Sequence, residues 1–161
     1  MELTPHLTSQ RASTQSPPQF LLDVNALLAL LWEAHVAHAK AKAWYVECAS
    51  MGWATCALTQ AGFARVSSQT GFPSASKDLN VIAQLLARCT AQDNHSFLPL
   101  DFSLGVVHQT CTGGLQGHRQ ITDAYLLTLA IRNQARLVTF DAGIRSLLAS
   151  SAARDEHLLV L

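Results

Sequence analysis

Residues 20–30 read Phe20-Leu21-Leu22-Asp23-Val24-Asn25-Ala26-Leu27-Leu28-Ala29-Leu30. Three apolar residues in a row that stop at an aspartate suit a strand buried on both faces, since a run without alternation leaves no side for water. Asn25 is then placed to cap a helix from Ala26 to Trp32, whose leucines cover more than one face. The same order returns downstream. Trp53-Ala54-Thr55-Cys56 reads as a second buried strand, and Thr59 as the cap of a helix through Phe63 and Val66 that ends near Ser68.

Between these two units a helix is expected from Val36 to Ala49, stopped by Gly52. Ser76 is a cap for a helix from Lys77 to Arg88, with Leu79, Ile82, Leu85 and Leu86 on its apolar face. Phe97-Leu98-Pro99-Leu100 predicts a third strand, confined by its proline to an edge or an end. Ser103 to Cys111 is a short helix broken by Thr112-Gly113-Gly114, and Thr122 caps a strong helix from Asp123 to Asn133. Leu137-Val138-Thr139-Phe140 is the fourth strand, closing at Asp141. A short helix around Ile144–Leu148 and a final strand over Leu158–Leu161 complete the chain. Short apolar strands alternating with helices call for a parallel sheet covered on both faces, an α/β fold of three layers with four to five strands.

The bulk numbers agree with one such domain. A chain of 161 residues that is 49% hydrophobic and 14% charged buries roughly two-thirds of its unfolded surface. The opening stretch 1–19 is polar and rich in Ser, Thr, Gln and Pro, so it reads as a disordered extension ahead of a domain over 20–161. Formal net charge is zero, which excludes a surface that grips any nucleic acid but leaves room for a small basic rim. It also leaves self-association unopposed, so an oligomer or a bound partner is expected. The four cysteines, Cys48, Cys56, Cys89 and Cys111, form no C-x-x-C pair and read as thiols of a reduced, cytoplasmic protein. No apolar run reaches the ~18–20 residues of a membrane span.

In a parallel α/β sheet, ligands bind beyond the carboxyl ends of the strands. Asp23 closes the first strand, Asp141 closes the fourth, and Asp123 stands where a helix opens. Each residue alone is equally at home as a cap or a turn; all three on one edge form a constellation. Carboxylates so placed repel one another, and a hard divalent cation such as Mg²⁺ or Mn²⁺ relieves that repulsion with oxygen ligands. An aspartate-nucleophile phosphatase would need an acid where Asn25 stands. A phosphotransfer receiver would need a lysine after the strand ending at Phe140. The chain has neither.

The segments 21–30, 53–66, 118–127 and 137–141 resemble, in order, the four blocks of a PIN domain: strand with D-x-N and helix, second strand and helix, third-acid segment, and fourth strand with its acid. The similarity runs from Phe20 to Leu161 and is strongest to the VapC toxins. That resemblance implies a PIN-like fold and a metal-dependent ribonuclease of the prokaryotic cytoplasm. It further implies RNA as substrate, a homodimer, and a VapB-like antitoxin whose tail covers the acidic cleft. Carried onto this chain, Asp23, Asp123 and Asp141 are the metal-binding and catalytic residues. Asn25, Thr122 and Thr139 are residues that could orient them, and so could Gln60. Gln60 marks a departure, because the family places a glutamate there. Its carbonyl can meet a metal or a bound water but brings no charge. The alternative function is therefore a catalytically weak or inactive PIN domain that binds RNA or an antitoxin.

Several other residues have plainer roles. His35 and His38 stand three apart without a third ligand and are expected to serve as polar hydrogen-bonding groups. His118 and Arg119 could meet phosphate, and Arg65, Arg119, Arg145 and Lys77 could rim a cleft, though surface cations mostly solubilise. Trp32, Trp44, Tyr45 and Trp53 are expected in core or dimer packing. Gly113-Gly114 with Gly117 is not a phosphate loop, since no Lys-Ser/Thr follows.

Overall fold

A computed structural model describes residues 19–161. The extension expected over 1–19 lies, apart from Gln19, outside the described residues. Gln19 itself is tied by backbone hydrogen bonds to Met51 and Arg136.

The strands are β1 (Phe20–Leu22), β2 (Trp53–Thr55), β3 (His95–Phe97), β4 (Arg136–Thr139) and β5 (Leu158–Val160). They form one sheet in the order β3-β2-β1-β4-β5, and every neighbouring pair is parallel. The helices are α1 (Val24–Leu31), α2 (His38–Cys48), α3 (Ala57–Ser67), α4 (Leu79–Thr90), α5 (Leu104–Thr110), α6 (Ile121–Arg132) and α7 (Ser151–His157).

Strand alternation divides the core in two. Phe20, Leu22, Trp53 and Val138 turn to one face, where they pack with Leu27 and Trp32 of the α1 unit, Trp44, Phe63, Ile82 and Leu86. Leu21, Ala54 and Leu137 turn to the other and meet Val107, Leu126, Leu127, Leu129 and Ile144. That is the three-layer architecture expected from the unbroken apolar strands. The tryptophans Trp32, Trp44 and Trp53 are buried, with Trp32 Nε1 donating to Ser67 Oγ at 2.7 Å and so joining α1's end to α3's. All four cysteines are free thiols, two of them buried. Among the described residues no helix is long and apolar enough to cross a membrane.

Several local expectations change. The cap of α1 is Asp23, not Asn25: its Oδ1 accepts from Ala26 N at 2.6 Å, and Asn25 lies exposed inside the first turn. Thr59 sits in the first turn of α3 and its hydroxyl accepts from Cys56 N at 2.9 Å, so Cys56 occupies the cap position. Asp78 replaces Ser76 as cap of α4. Of the face expected there, Ile82 and Leu86 are buried, while Leu79 is exposed. The third strand begins two residues early, at His95, and stops before Pro99, which has no N–H for the ladder. It is an edge strand, as its proline requires. Helix α6 starts at Ile121 behind a 3₁₀ turn over His118–Gln120, with Gln120 rather than Thr122 at the cap. Helix α7 was not foreseen; it buries no residue, so its sequence carries no apolar period.

The glycine break after α5 has a packing cause. A Cβ at Gly113 would stand 2.0 Å from Ser146 O, while the Gly113 amide donates to Leu147 O at 2.9 Å. Only glycine lets these two backbones approach.

Candidate active site

The carboxyl end of β1 delivers Asp23 between α1 and β4. The side chain is 4% exposed, and both oxygens are engaged. Oδ1 accepts from Ala26 N, and Oδ2 accepts from Thr139 Oγ1 at 2.5 Å. The Thr139 hydroxyl in turn accepts from Asp141 N at 2.9 Å. One buried threonine at the end of β4 thus fixes an aspartate side chain on one side and the backbone of another aspartate on the other.

Burial pushes the Asp23 carboxyl up from its ordinary 3.8 to about 6. The hydrogen bonds from Thr139 and Ala26 oppose the rise, while the charges of Asp123 and Asp141 add to it. Asp123, half-buried on the first turn of α6, is also raised, first by desolvation and then by Asp141. The three acids named from the sequence therefore act on one another electrostatically from three separate elements. Asp141 caps the 3₁₀ turn over Ala142–Leu147, with Oδ1 accepting from Gly143 N at 2.7 Å.

No group of three His, Cys, Asp or Glu side chains among the described residues is gathered as a ready metal-ligand set. Asp23 spends both oxygens on protein donors, and Asp141 turns one toward its own 3₁₀ turn. The chemistry of the donor set nonetheless suits a hard cation. It offers carboxylate oxygens, one of them a buried anion, and none of the three aspartates forms an ion pair among the described residues.

The orienting residues separate. Thr139 bonds to Asp23 directly. Asn25 and Thr122 are exposed and make no hydrogen bond to an aspartate among the described residues. Gln60, on the first turn of α3, donates from Nε2 to Thr55 Oγ1 at 2.9 Å, and the same hydroxyl lies 2.9 Å from His95 Nε2. Neither Thr55 nor His95 was singled out in the sequence. The only hint was their position: one ends β2 beside the Asp23 strand, and the other starts the neighbouring edge strand.

Arg65, Arg119 and Arg145 are exposed. Arg119 lies on the turn that leads into the Asp123 helix, and Arg145 on the turn capped by Asp141. Lys77 is a brace instead, donating to Phe72 O and to Ser74 Oγ. His38 Nδ1 lies 2.9 Å from Ala29 O, so it serves the hydrogen-bonding role expected of it.

Residues 20–147 match the family model described as the PIN domain. The chain is 42% identical over 141 residues to Ribonuclease VapC38 of Mycobacterium tuberculosis (strain ATCC 25618 / H37Rv), covering 88% of this chain and 98% of that protein. It is 44% identical over 141 residues to Ribonuclease VapC44 of the same species, with the same coverage. Ribonuclease VapC39 of that species is 41% identical over 124 residues, 77% of this chain and 89% of that one. With this match over most of its length, and with aspartates beyond the ends of the adjacent strands β1 and β4, the chain belongs to the PIN-domain family, in its VapC branch.

Proposed function

We propose that this chain is an endoribonuclease toxin of the VapB–VapC type, hydrolysing RNA phosphodiester bonds at its acidic edge with Mg²⁺ or Mn²⁺. The observation that carries this reading is Asp23: a buried carboxylate at a strand end, made costly as an anion by desolvation and by Asp123 and Asp141. A protein that keeps such a group has a use for a cation beside it. The similarity to Ribonuclease VapC38 and Ribonuclease VapC44 over nearly all of this domain supports the reaction class.

Asp23, Asp123 and Asp141 are the residues that would hold the cation. When bound, it supplies charge to a phosphate under attack and acidifies a water nucleophile. The chain's own residues supply the setting. Thr139 holds Asp23 in one rotamer, and Asp123 reaches in from α6. Arg119 and Arg145 stand on the neighbouring turns as exposed guanidiniums suited to RNA phosphates.

A second reading follows from Gln60, whose amide is committed to Thr55 and brings no negative charge. It is a PIN domain that cuts weakly or not at all and acts by binding RNA or an antitoxin. The deciding experiment is RNA cleavage by purified protein in Mg²⁺ and in Mn²⁺, with Asp23→Ala alongside. Metal-dependent cleavage that disappears in the variant supports the nuclease; no cleavage by clean wild type in either metal sinks it.

A VapB-like antitoxin, a homodimer and a cytoplasmic location belong to the same proposal. Light scattering on the chain alone and co-purification with the product of an adjacent gene test the first two.

A further inference from the structure

A cavity of about 410 Å³ opens directly beside the acidic edge, lined by Asn25, His35, Val36, Ala37, Phe140 and Asp141. Its size lies within the ~300–1,000 Å³ of small-molecule sites. One wall is the chain leaving β4, so the cavity shares Asp141 with the acidic cluster. The other is the connection between α1 and α2, held in place by hydrogen bonds from His35 N to Trp32 O and from His38 N to His35 O.

The lining has a consistent chemistry. Val36 is 98% exposed, an apolar side chain with no protein cover, and Phe140 is half-buried across from it. His35 Nδ1 accepts from Ala37 N at 3.1 Å. A neutral imidazole bonded this way carries its proton on Nε2, which becomes a donor, and no protein acceptor takes it among the described residues. Burial lowers the His35 pKa and so favours that neutral ring. Asn25 adds an exposed amide able to donate and accept, and Asp141 adds an acceptor. No lysine or arginine lines the cavity, and a carboxylate does, so a phosphate is unwelcome there. A planar heterocycle with donors and acceptors on its edge and an apolar face fits each wall.

We propose that this cavity is a nucleobase subsite, receiving the base of a nucleotide next to the phosphodiester at the acidic edge, with His35 and Val36 as specificity-determining residues. The proposal rests on the ribonuclease reading given above. Pairing would run from His35 Nε2–H and the Asn25 amide to the base edge, with Val36 and Phe140 against its face.

The test uses His35→Ala and Val36→Ser; the second changes a side chain open to solvent and so leaves folding intact. In the first arm, a random single-stranded RNA pool is cut and the ends are sequenced. In the second, short single-stranded RNAs, intact or with one abasic position, are bound to Asp23→Asn protein with and without each substitution. The expected result is that wild type shows a base preference at one position flanking the cut and both variants flatten it. In the binding arm, an abasic site there weakens binding by roughly tenfold, a loss the variants no longer show. Unchanged preference and unchanged abasic discrimination in both variants overturn the subsite. So does a result in which RNA behaviour is untouched and only inhibition by a co-expressed antitoxin is relieved, since the cavity would then seat a protein. If wild type cuts no RNA, the nuclease reading fails on its own, and the binding arm still decides the subsite.

Discussion

Thr139 Oγ1 donates to Asp23 Oδ2 at 2.5 Å across 116 positions of sequence. The same oxygen accepts from Asp141 N at 2.9 Å. Leu22 and Val138 are paired in register on β1 and β4, so Asp23, just past the end of β1, lies beside Thr139, the last residue of β4, and the threonine hydroxyl reaches both Asp23 and the backbone of Asp141. A hydrogen bond to a charged, buried partner is worth about 1.5–3 kcal/mol.

Thr139→Val keeps the shape and removes both bonds. We expect the protein to lose about 2 kcal/mol of stability at pH 7 and most of its RNA cleavage. Thr139→Ser, which restores the hydroxyl, should recover the greater part of each. Denaturant unfolding and a cleavage time course are the measurements; a fully active, fully stable Thr139→Val variant contradicts the role given to this hydroxyl.

The raised Asp23 carboxyl makes stability depend on pH in a direction opposite to the usual carboxylate. Between pH about 4 and about 6 the native state keeps a proton that the unfolded chain has already released. Stability of the metal-free protein therefore falls as pH rises through that window, by about 3 kcal/mol at about 1.4 kcal/mol per pH unit. The loss is complete above it. Unfolding in EDTA from pH 4 to pH 8, wild type against Asp23→Asn, isolates this contribution from that of the other carboxylates. Parallel curves for the two proteins contradict it, and Mn²⁺ should restore stability to wild type alone at pH 8.

Gln60→Glu replaces a donor to Thr55 Oγ1 by an acceptor, so Thr55 must turn its proton toward the new carboxylate, and His95 Nε2 keeps its bond to that hydroxyl only as a donor. It also returns a negative charge to the fourth acidic position of the family. The expected outcome is half-maximal cleavage at a several-fold lower Mn²⁺ concentration than in wild type, read from a metal-titrated assay. Unchanged metal dependence means that position 60 does not limit cation binding in this chain.

Gly62 lets α3 approach α1: a Cβ there would lie 2.4 Å from Val24 Cγ2 and 3.1 Å from Cγ1. Overpacking of this kind costs about 1–3 kcal/mol, and alanine's better helix propensity returns about 1. Gly62→Ala is therefore expected to be destabilised by about 1 kcal/mol, with Val24→Ala in the same molecule recovering most of that. Additive losses in the double variant would show that the two side chains do not compete for one space.

Much of the fold was legible because its signals are local. Phe20-Leu21-Leu22 and Leu137-Val138-Thr139 carry no polar alternation, which says that both faces of the sheet are covered; Leu21 and Leu22 do enter different cores. The caps were less legible, because Asp23 and Asn25 stand two positions apart and each is chemically able to begin a helix, while Gln120 precedes α6 with no side-chain cap bond, at the end of a 3₁₀ turn. Backbone direction chose between them, and for Asp23 the choice was tied to Thr139, a residue on another strand. Helix α7 escaped notice because it buries no residue and so carries no apolar period.

The residue order alone determined that three aspartates would lie at one edge of a parallel sheet, since strand ends and helix starts there share a side. It also placed a glutamine where the family has its glutamate. Tertiary structure decided what those residues experience. Desolvation that lifts Asp23 to about 6, a threonine shared between two aspartates, and a cavity built from the 35–37 connection and the 140–141 exit all depend on segments distant in the chain. Burial and hydrogen bonding are properties of neighbours in space, and adjacency in sequence does not specify them.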